Sequence, residues 1–162
     1  MVNLMKKILF LLLLLFIFPL SVFSYDFNIN SNNVILINLN EDKILYEKNS
    51  DSKTYIASLT KIMTAVVVLE NIDDLNTKVL LTNEDFKDIY RYDLQTSGLR
   101  VNNSYTYEEL LYALLISSGA DAASCLARNV GGSVSNFVSM MNDKAKELNL
   151  NNTKFNNPIG YD

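Results

Sequence analysis

Histidine is absent from this chain of 162 residues, and cysteine occurs once, as Cys125. Without histidine, no Ser-His-Asp or Cys-His triad can be built from these residues. The two shortages together leave no imidazole–thiolate cluster for a metal, and one cysteine cannot form an internal disulfide. Cys125 lies among Ala122, Ala123, Leu126 and Ala127 and reads as a small core residue, not a nucleophile. There is no internal repeat, no low-complexity linker and no glycine-rich phosphate loop, so no cofactor is expected. Basic excess is lacking too. The net charge of −4 gives no electrostatic footprint for nucleic acid. With 49% hydrophobic residues, the length suits one globular domain.

Part of that apolar content belongs to the N-terminus. Lys6 and Lys7 precede the run Ile8 to Phe18; Pro19 follows, and then Val22-Phe23-Ser24 offers small residues where a signal peptidase reads. Residues 1–24 are therefore expected to be a secretory signal peptide, and 25–162 the mature part. The competing reading is an uncleaved anchor, although the apolar run is short for a span of about 20 residues. Export would place the protein outside the cytoplasmic membrane, with membrane contact only through the signal peptide.

The rest of the chain alternates two kinds of pattern. Val34-Ile35-Leu36-Ile37-Asn38 and Lys43-Ile44-Leu45-Tyr46-Glu47 flank the turn Asn40-Glu41-Asp42 and predict a β-hairpin. A lone hairpin is marginal in water, so this one calls for further strands. Ser58 to about Asn71 predicts a helix apolar on most of its circumference, hence central and buried. A short surface helix is expected from Asn83 to about Tyr90, then an irregular polar stretch to Asn103. Thr106-Tyr107-Glu108-Glu109 is a capping-box pattern and opens a helix that stops near Ser117-Ser118-Gly119. Ala120 to Val130 predicts the next helix, ended by Gly131-Gly132. Ser133 caps the last one, with Val134, Phe137, Val138, Met141, Ala145 and Leu148 along one face. Asn156-Asn157-Pro158-Ile159-Gly160 is a turn.

Ser58-Leu59-Thr60-Lys61 carries the chemistry. It stands where a polar segment gives way to the apolar run Ile62 to Leu69. Helical residues three apart share a face, so Lys61 can reach the Ser58 hydroxyl. Burial favours a neutral amine, which could then serve as general base for the serine. Free N–H groups at the helix start suit an oxyanion. The plain alternative is an N-terminal serine beside a snorkelling lysine. Ser50-Asp51-Ser52-Lys53 fits the same Ser-x-x-Lys template but lies in a polar turn with nothing to desolvate the amine, and is set aside.

With these residues in view, the chain resembles the D-alanyl-D-alanine carboxypeptidases, the low-molecular-weight penicillin-binding proteins of the peptidase S11 family. The similar segments are the hairpin ending in Leu45-Tyr46-Glu47-Lys48 and Ala57-Ser58-Leu59-Thr60-Lys61-Ile62-Met63-Thr64-Ala65. They continue with Leu110 to Leu115 leading into Ser118-Gly119-Ala120-Asp121-Ala122-Ala123, and Phe155 to Gly160. The resemblance implies an α+β fold of the β-lactamase/DD-peptidase type: the N-terminal hairpin of an antiparallel sheet plus a helical subdomain. It implies that Ser58 and Lys61 form the first catalytic motif, and that Ser118 opens the second, Ser-x-Asn, where Ala120 replaces the asparagine. Ser118 also reads as a simple helix N-cap with Asp121 as its partner. The family's third motif, Lys-Thr/Ser-Gly, does not occur after Ser118. The expectation is therefore an N-terminal part of such an enzyme, ending before the C-terminal strands.

The implied activity is serine-type removal of the terminal D-alanine from peptidoglycan stem peptides through an acyl-enzyme. β-Lactams would be covalent inhibitors. Two other readings stay open: a class A-like β-lactamase, which shares Ser-x-x-Lys, and an inactive secreted fragment.

Overall fold

A computed structural model describes Lys7 and residues 28–161. The leader expected over residues 1–24 thus lies, but for Lys7, outside the described residues. The chain divides into two compact units, residues 1–52 and 53–162.

In the first unit, β1 (Val34–Asn38) and β2 (Lys43–Lys48) form the antiparallel hairpin, with Val34 opposite Lys48 and Asn38 opposite Lys43. The β-branched residues favour the extended backbone. The Asn38 side chain accepts the Asn40 N–H at 3.0 Å, an Asx-type start to the turn. The register slips between Leu36 and Ile37, a bulge. At the open end, the Asn33 amide donates to Asn49 O at 2.8 Å and the Asn49 amide to Asn32 O at 2.9 Å. Ile35, Leu36, Ile44 and Leu45 each stay at least half exposed, so this pair of strands buries little apolar surface.

The second unit is helical. A 3-10 turn, Ala57–Leu59, leads into α1 (Thr60–Asn71). Then come β3 (Lys78–Leu80), a 3-10 turn Asn83–Phe86, α2 (Lys87–Tyr92), β4 (Ser104–Thr106), α3 (Tyr107–Ile116), α4 (Ala120–Gly131) and α5 (Val134–Glu147). Helices α3, α4 and α5 all pack on α1. Val67, Val68, Leu110, Leu114, Leu126, Phe137 and Met141 are fully enclosed at their junction. The capping box of α3 is present as expected: Thr106 Oγ1 accepts the Glu109 N–H at 3.1 Å, and Glu109 Oε2 accepts the Thr106 N–H at 2.8 Å. Ser133 likewise caps α5 by accepting the Asn136 N–H at 3.1 Å.

Three details differ from the sequence reading. The helix at Ser58 begins as a 3-10 turn, so Ser58 precedes α1 rather than belonging to it. That helix is not buried all round, because Ile62 and Leu69 face outward at 57% and 52% exposure, away from the side on which the other helices pack. The antiparallel pair β3–β4, with Lys78 opposite Thr106, has no counterpart in the sequence pattern. Strands of three residues are too short to show a period of two.

A partly buried ion pair ties the end of β3 and the 3-10 turn after it to α4. Asp85, enclosed, accepts from Arg128 Nε and Nη2, each at 2.8 Å, and Nη2 also reaches Leu80 O at 2.8 Å. Planar two-point contact of this kind fixes orientation as well as distance.

Candidate active site

Ser58 stands at the middle of the 3-10 turn, and Lys61 in the first turn of α1. The tighter turn does not separate them: Lys61 Nζ lies 3.3 Å from Ser58 Oγ. A second hydroxyl closes the group. Ser118, between α3 and α4, has its Oγ 2.9 Å from Ser58 Oγ. The three expected site residues are therefore brought together. The N-cap reading of Ser118 is corrected. The residue at the cap of α4 is Gly119, with no side-chain cap bond, while the Ser118 hydroxyl points to Ser58.

Two non-glycine residues hold left-handed backbone here, Ala57 at φ +47° and Ser118 at φ +55°. For an L-residue that conformation costs about 1–2 kcal/mol. The surroundings over-determine both. Gly160, at φ +90°, packs so closely on Ala57 that a Cβ would stand 2.0 Å from Ala57 O. On the other side a Cβ at Gly119 would come within 2.6 Å of Asp121 Oδ1 and 2.7 Å of the Ser97 side chain.

Lys61 is 95% buried, and among the described residues no carboxylate pairs with it. Its Nζ donates to Ile159 O at 2.8 Å. Burial without a counter-charge lowers its pKa from the ordinary lysine value of 10.5. Ile159 O is held by the turn that the sequence marked. Asn157 Oδ1 accepts the N–H groups of Ile159 and Gly160, at 3.0 and 2.6 Å, and Thr64 Oγ1 of α1 donates to Pro158 O at 2.7 Å. The Asn-Pro-x-Gly composition signalled a turn; that its carbonyl would meet Lys61, 98 residues away, had no local signal.

Asp121 organises the opposite wall. Fully buried, it accepts from Ser97 N–H at 2.9 Å, Ser97 Oγ at 2.8 Å and Leu99 N–H at 3.2 Å. This anchors the irregular 95–99 segment, and Ala120 N–H adds a bond to Gln95 O at 2.9 Å. A cleft of about 100 Å³ results, lined by Ser58, Lys61, Gln95, Ser118, Ala120 and Tyr161 among others. An apolar hollow of about 430 Å³ adjoins Ser58 on the side of Leu59, Ile62, Leu114 and Leu115. A separate cavity of about 450 Å³ between Tyr55, Tyr92 and Lys154 includes neither Ser58 nor Lys61.

Among the described residues, no group of His, Cys, Asp and Glu could hold a metal ion, and no helix is long and apolar enough to cross a membrane. The other Ser-x-x-Lys match lacks such an environment. The Ser50 hydroxyl donates to the exposed Glu47 carboxylate at 3.0 Å. Cys125 is buried, and burial pushes its thiol up to about 12, so it stays protonated and inert.

The arrangement has relatives. The chain is 37% identical over 128 residues to the D-alanyl-D-alanine carboxypeptidase DacF of Bacillus subtilis, covering 78% of this chain and 32% of that protein. It is 34% identical over 129 residues to the D-alanyl-D-alanine endopeptidase of Escherichia coli, covering 78% and 40%. In three dimensions it resembles the crystal structure of the Streptomyces K15 DD-transpeptidase, with TM-score 0.79, 31% identity and coverage of 85% and 55%. The D-alanyl-D-alanine carboxypeptidase DacD of Francisella tularensis follows, with TM-score 0.78, 25% identity and coverage of 90% and 35%. The chain thus spans about a third to two fifths of the length of these curated relatives. It adopts the α+β fold of the DD-peptidases. Residues 21–162 match the peptidase S11 family, described as D-alanyl-D-alanine carboxypeptidase, and the chain belongs to that family.

Proposed function

We propose that this chain carries the nucleophile half of a serine-type D-Ala-D-Ala carboxypeptidase acting on peptidoglycan stem peptides, with Ser58, Lys61 and Ser118 as its catalytic residues. The observation that supports this most is the hydroxyl–amine–hydroxyl group itself: Ser58 Oγ within 3.3 Å of a desolvated Lys61 Nζ and 2.9 Å of Ser118 Oγ.

In this reading neutral Lys61 accepts the Ser58 proton as Oγ bonds to the carbonyl carbon of the penultimate D-alanine. The Ser58 N–H, in the 3-10 turn that leads into α1, donates to the developing oxyanion. The carbon–nitrogen bond then breaks. The proton on Lys61 passes through the Ser118 hydroxyl to the leaving amine, and D-alanine departs, leaving an ester on Ser58. Water, deprotonated by Lys61, attacks the ester; Ser58 recovers its proton and the shortened peptide leaves. A β-lactam carbonyl would acylate the same oxygen.

The relatives are carboxypeptidases, endopeptidases and a transpeptidase, which favours this reading over a β-lactamase. A wall substrate would require export, with residues 1–24 as the signal peptide.

The test is covalent labelling of the full chain with a fluorescent penicillin. Stable label is expected on the parent chain and on Ser50→Ala, and none on Ser58→Ala. Rapid turnover of the label would point to a β-lactamase instead. No label on the parent chain, or label surviving Ser58→Ala, would refute the proposal.

A further inference from the structure

The cleft has an unassigned polar group. A peptide substrate presents a carbonyl and an N–H beside the bond to be cut, and each loses its water on entering. The cleft must replace those partners or incur the cost of unpaired groups. Most of its polar side chains are already committed. Ser118, Ser58 and Lys61 bond to one another and to Ile159 O. The Tyr161 hydroxyl donates to Asp88 at 2.8 Å. Ala120 offers only a methyl group, 1% exposed, at the position where an amide is missing.

Gln95 differs. It lines the same cleft, and its side chain is exposed. The carboxamide makes one local contact, Nε2 to Thr96 O at 3.2 Å, and Oε1 accepts nothing among the described residues. Its backbone is fixed, because Gln95 O receives the Ala120 N–H and Asp121 pins Ser97 and Leu99 just beyond. A free carboxamide on an anchored backbone has one donor end and one acceptor end, the complement of a peptide group.

We infer that Gln95 is a substrate-binding residue, whose Nε2 donates to a carbonyl and whose Oε1 accepts an N–H of the stem peptide lying across Ser58. This rests on the carboxypeptidase reading above. It places the amide function on the 95–99 segment instead of on the start of α4.

The experiment uses the full chain, an N-acylated Lys-D-Ala-D-Ala tripeptide and a fluorescent penicillin. Gln95→Met keeps the bulk and removes both hydrogen-bonding ends. It is expected to raise KM for D-alanine release by about 2- to 10-fold for each hydrogen bond lost, with little change in kcat. Gln95→Asn should recover part of the loss, which a merely structural role would not predict. In the 15N-labelled Ser58→Ala chain, the side-chain NH2 signal assigned to Gln95 should shift when the tripeptide is added. If the parent chain neither takes up penicillin nor releases D-alanine, the carboxypeptidase reading fails and this inference with it. If the parent chain is active while Gln95→Met has unchanged KM and the NH2 signal stays fixed, the inference about Gln95 alone is overturned.

Discussion

Replacing Gly160 by alanine perturbs the turn that carries Ser58 from behind, without a contact to the Ser58, Lys61 or Ser118 side chains. The new Cβ would sit 2.0 Å from Ala57 O, 2.6 Å from Ala57 C and 2.9 Å from Thr60 Oγ1. Backbone cannot yield as a flexible side-chain end can, so the 158–160 turn or the Ala57 turn must move. The left-handed φ of +90° adds strain of about 1–2 kcal/mol for a residue with a Cβ. Overpacking adds about 1–3 kcal/mol. The expected loss of stability is about 2–5 kcal/mol. The chemistry should suffer more than stability suggests, because Ile159 O, the neighbour of Gly160, orients Lys61. Misplacing a base by about 1 Å can cost on the order of 10²-fold in rate. Gly98→Ala is the control. Its φ is +82°, but nothing lies within 4 Å of the added carbon, so only about 1–2 kcal/mol of strain applies. Thermal unfolding followed by circular dichroism, with the rate of penicillin acylation, measures both. Equal Tm losses in the two variants, or an undiminished acylation rate in Gly160→Ala, would refute the reasoning.

Two further outcomes follow from buried polar groups. Burial lowers the Lys61 pKa, so its proton leaves the folded chain at a lower pH than it leaves the unfolded lysine, ordinary value 10.5. Stability should therefore rise with pH between the lowered value and 10.5, with the full burial penalty present below both. Acylation should climb over the lower part of that window as the base becomes free. Lys61→Met should abolish both rises and slow acylation on the order of 10²-fold or more; a persisting alkaline limb in a pH–rate profile would contradict this. Asp121→Ala strips the Ser97 and Leu99 N–H groups of their acceptor, at about 1–3 kcal/mol for each donor left buried. A Tm lowered by roughly 10 °C is expected for a domain of this size, and an unchanged melting curve would show that water or backbone replaces the carboxylate at no cost.

Features with a local cause were legible in the sequence. The β-branched runs gave the hairpin, Thr106 and Glu109 the capping box, and the apolar spacing after Ser133 the last helix. Ser58 and Lys61 were legible because three residues along a helical turn bring side chains together in either the 3-10 or the α form. What stayed hidden is non-local or too short. The β3–β4 ribbon has no room for a pattern, and the outward face of α1 depends on where three other helices lie. Asp121 looked like a cap partner because Asp near a helix start usually is one; its carboxylate instead bonds Ser97 and Leu99, more than 20 residues back along the chain. Gly160 announced a turn, but its contact with Ala57 comes only from folding.

The left-handed backbone at Ala57 and Ser118 has a consequence for anyone improving this protein by selection. Glycine at either position would relax the local conformation and offset part of its own entropic cost in the unfolded chain. A library ranked by heat resistance could thus retain Ala57→Gly or Ser118→Gly as neutral or favourable. If Ser58 is acylated as proposed, the same library ranked by acylation would discard both: the first because the turn that carries Ser58 gains freedom, the second because the hydroxyl beside Ser58 is gone. Disagreement between the two rankings at these sites, and agreement at Gly160, would map which part of the turn serves folding and which serves the reaction.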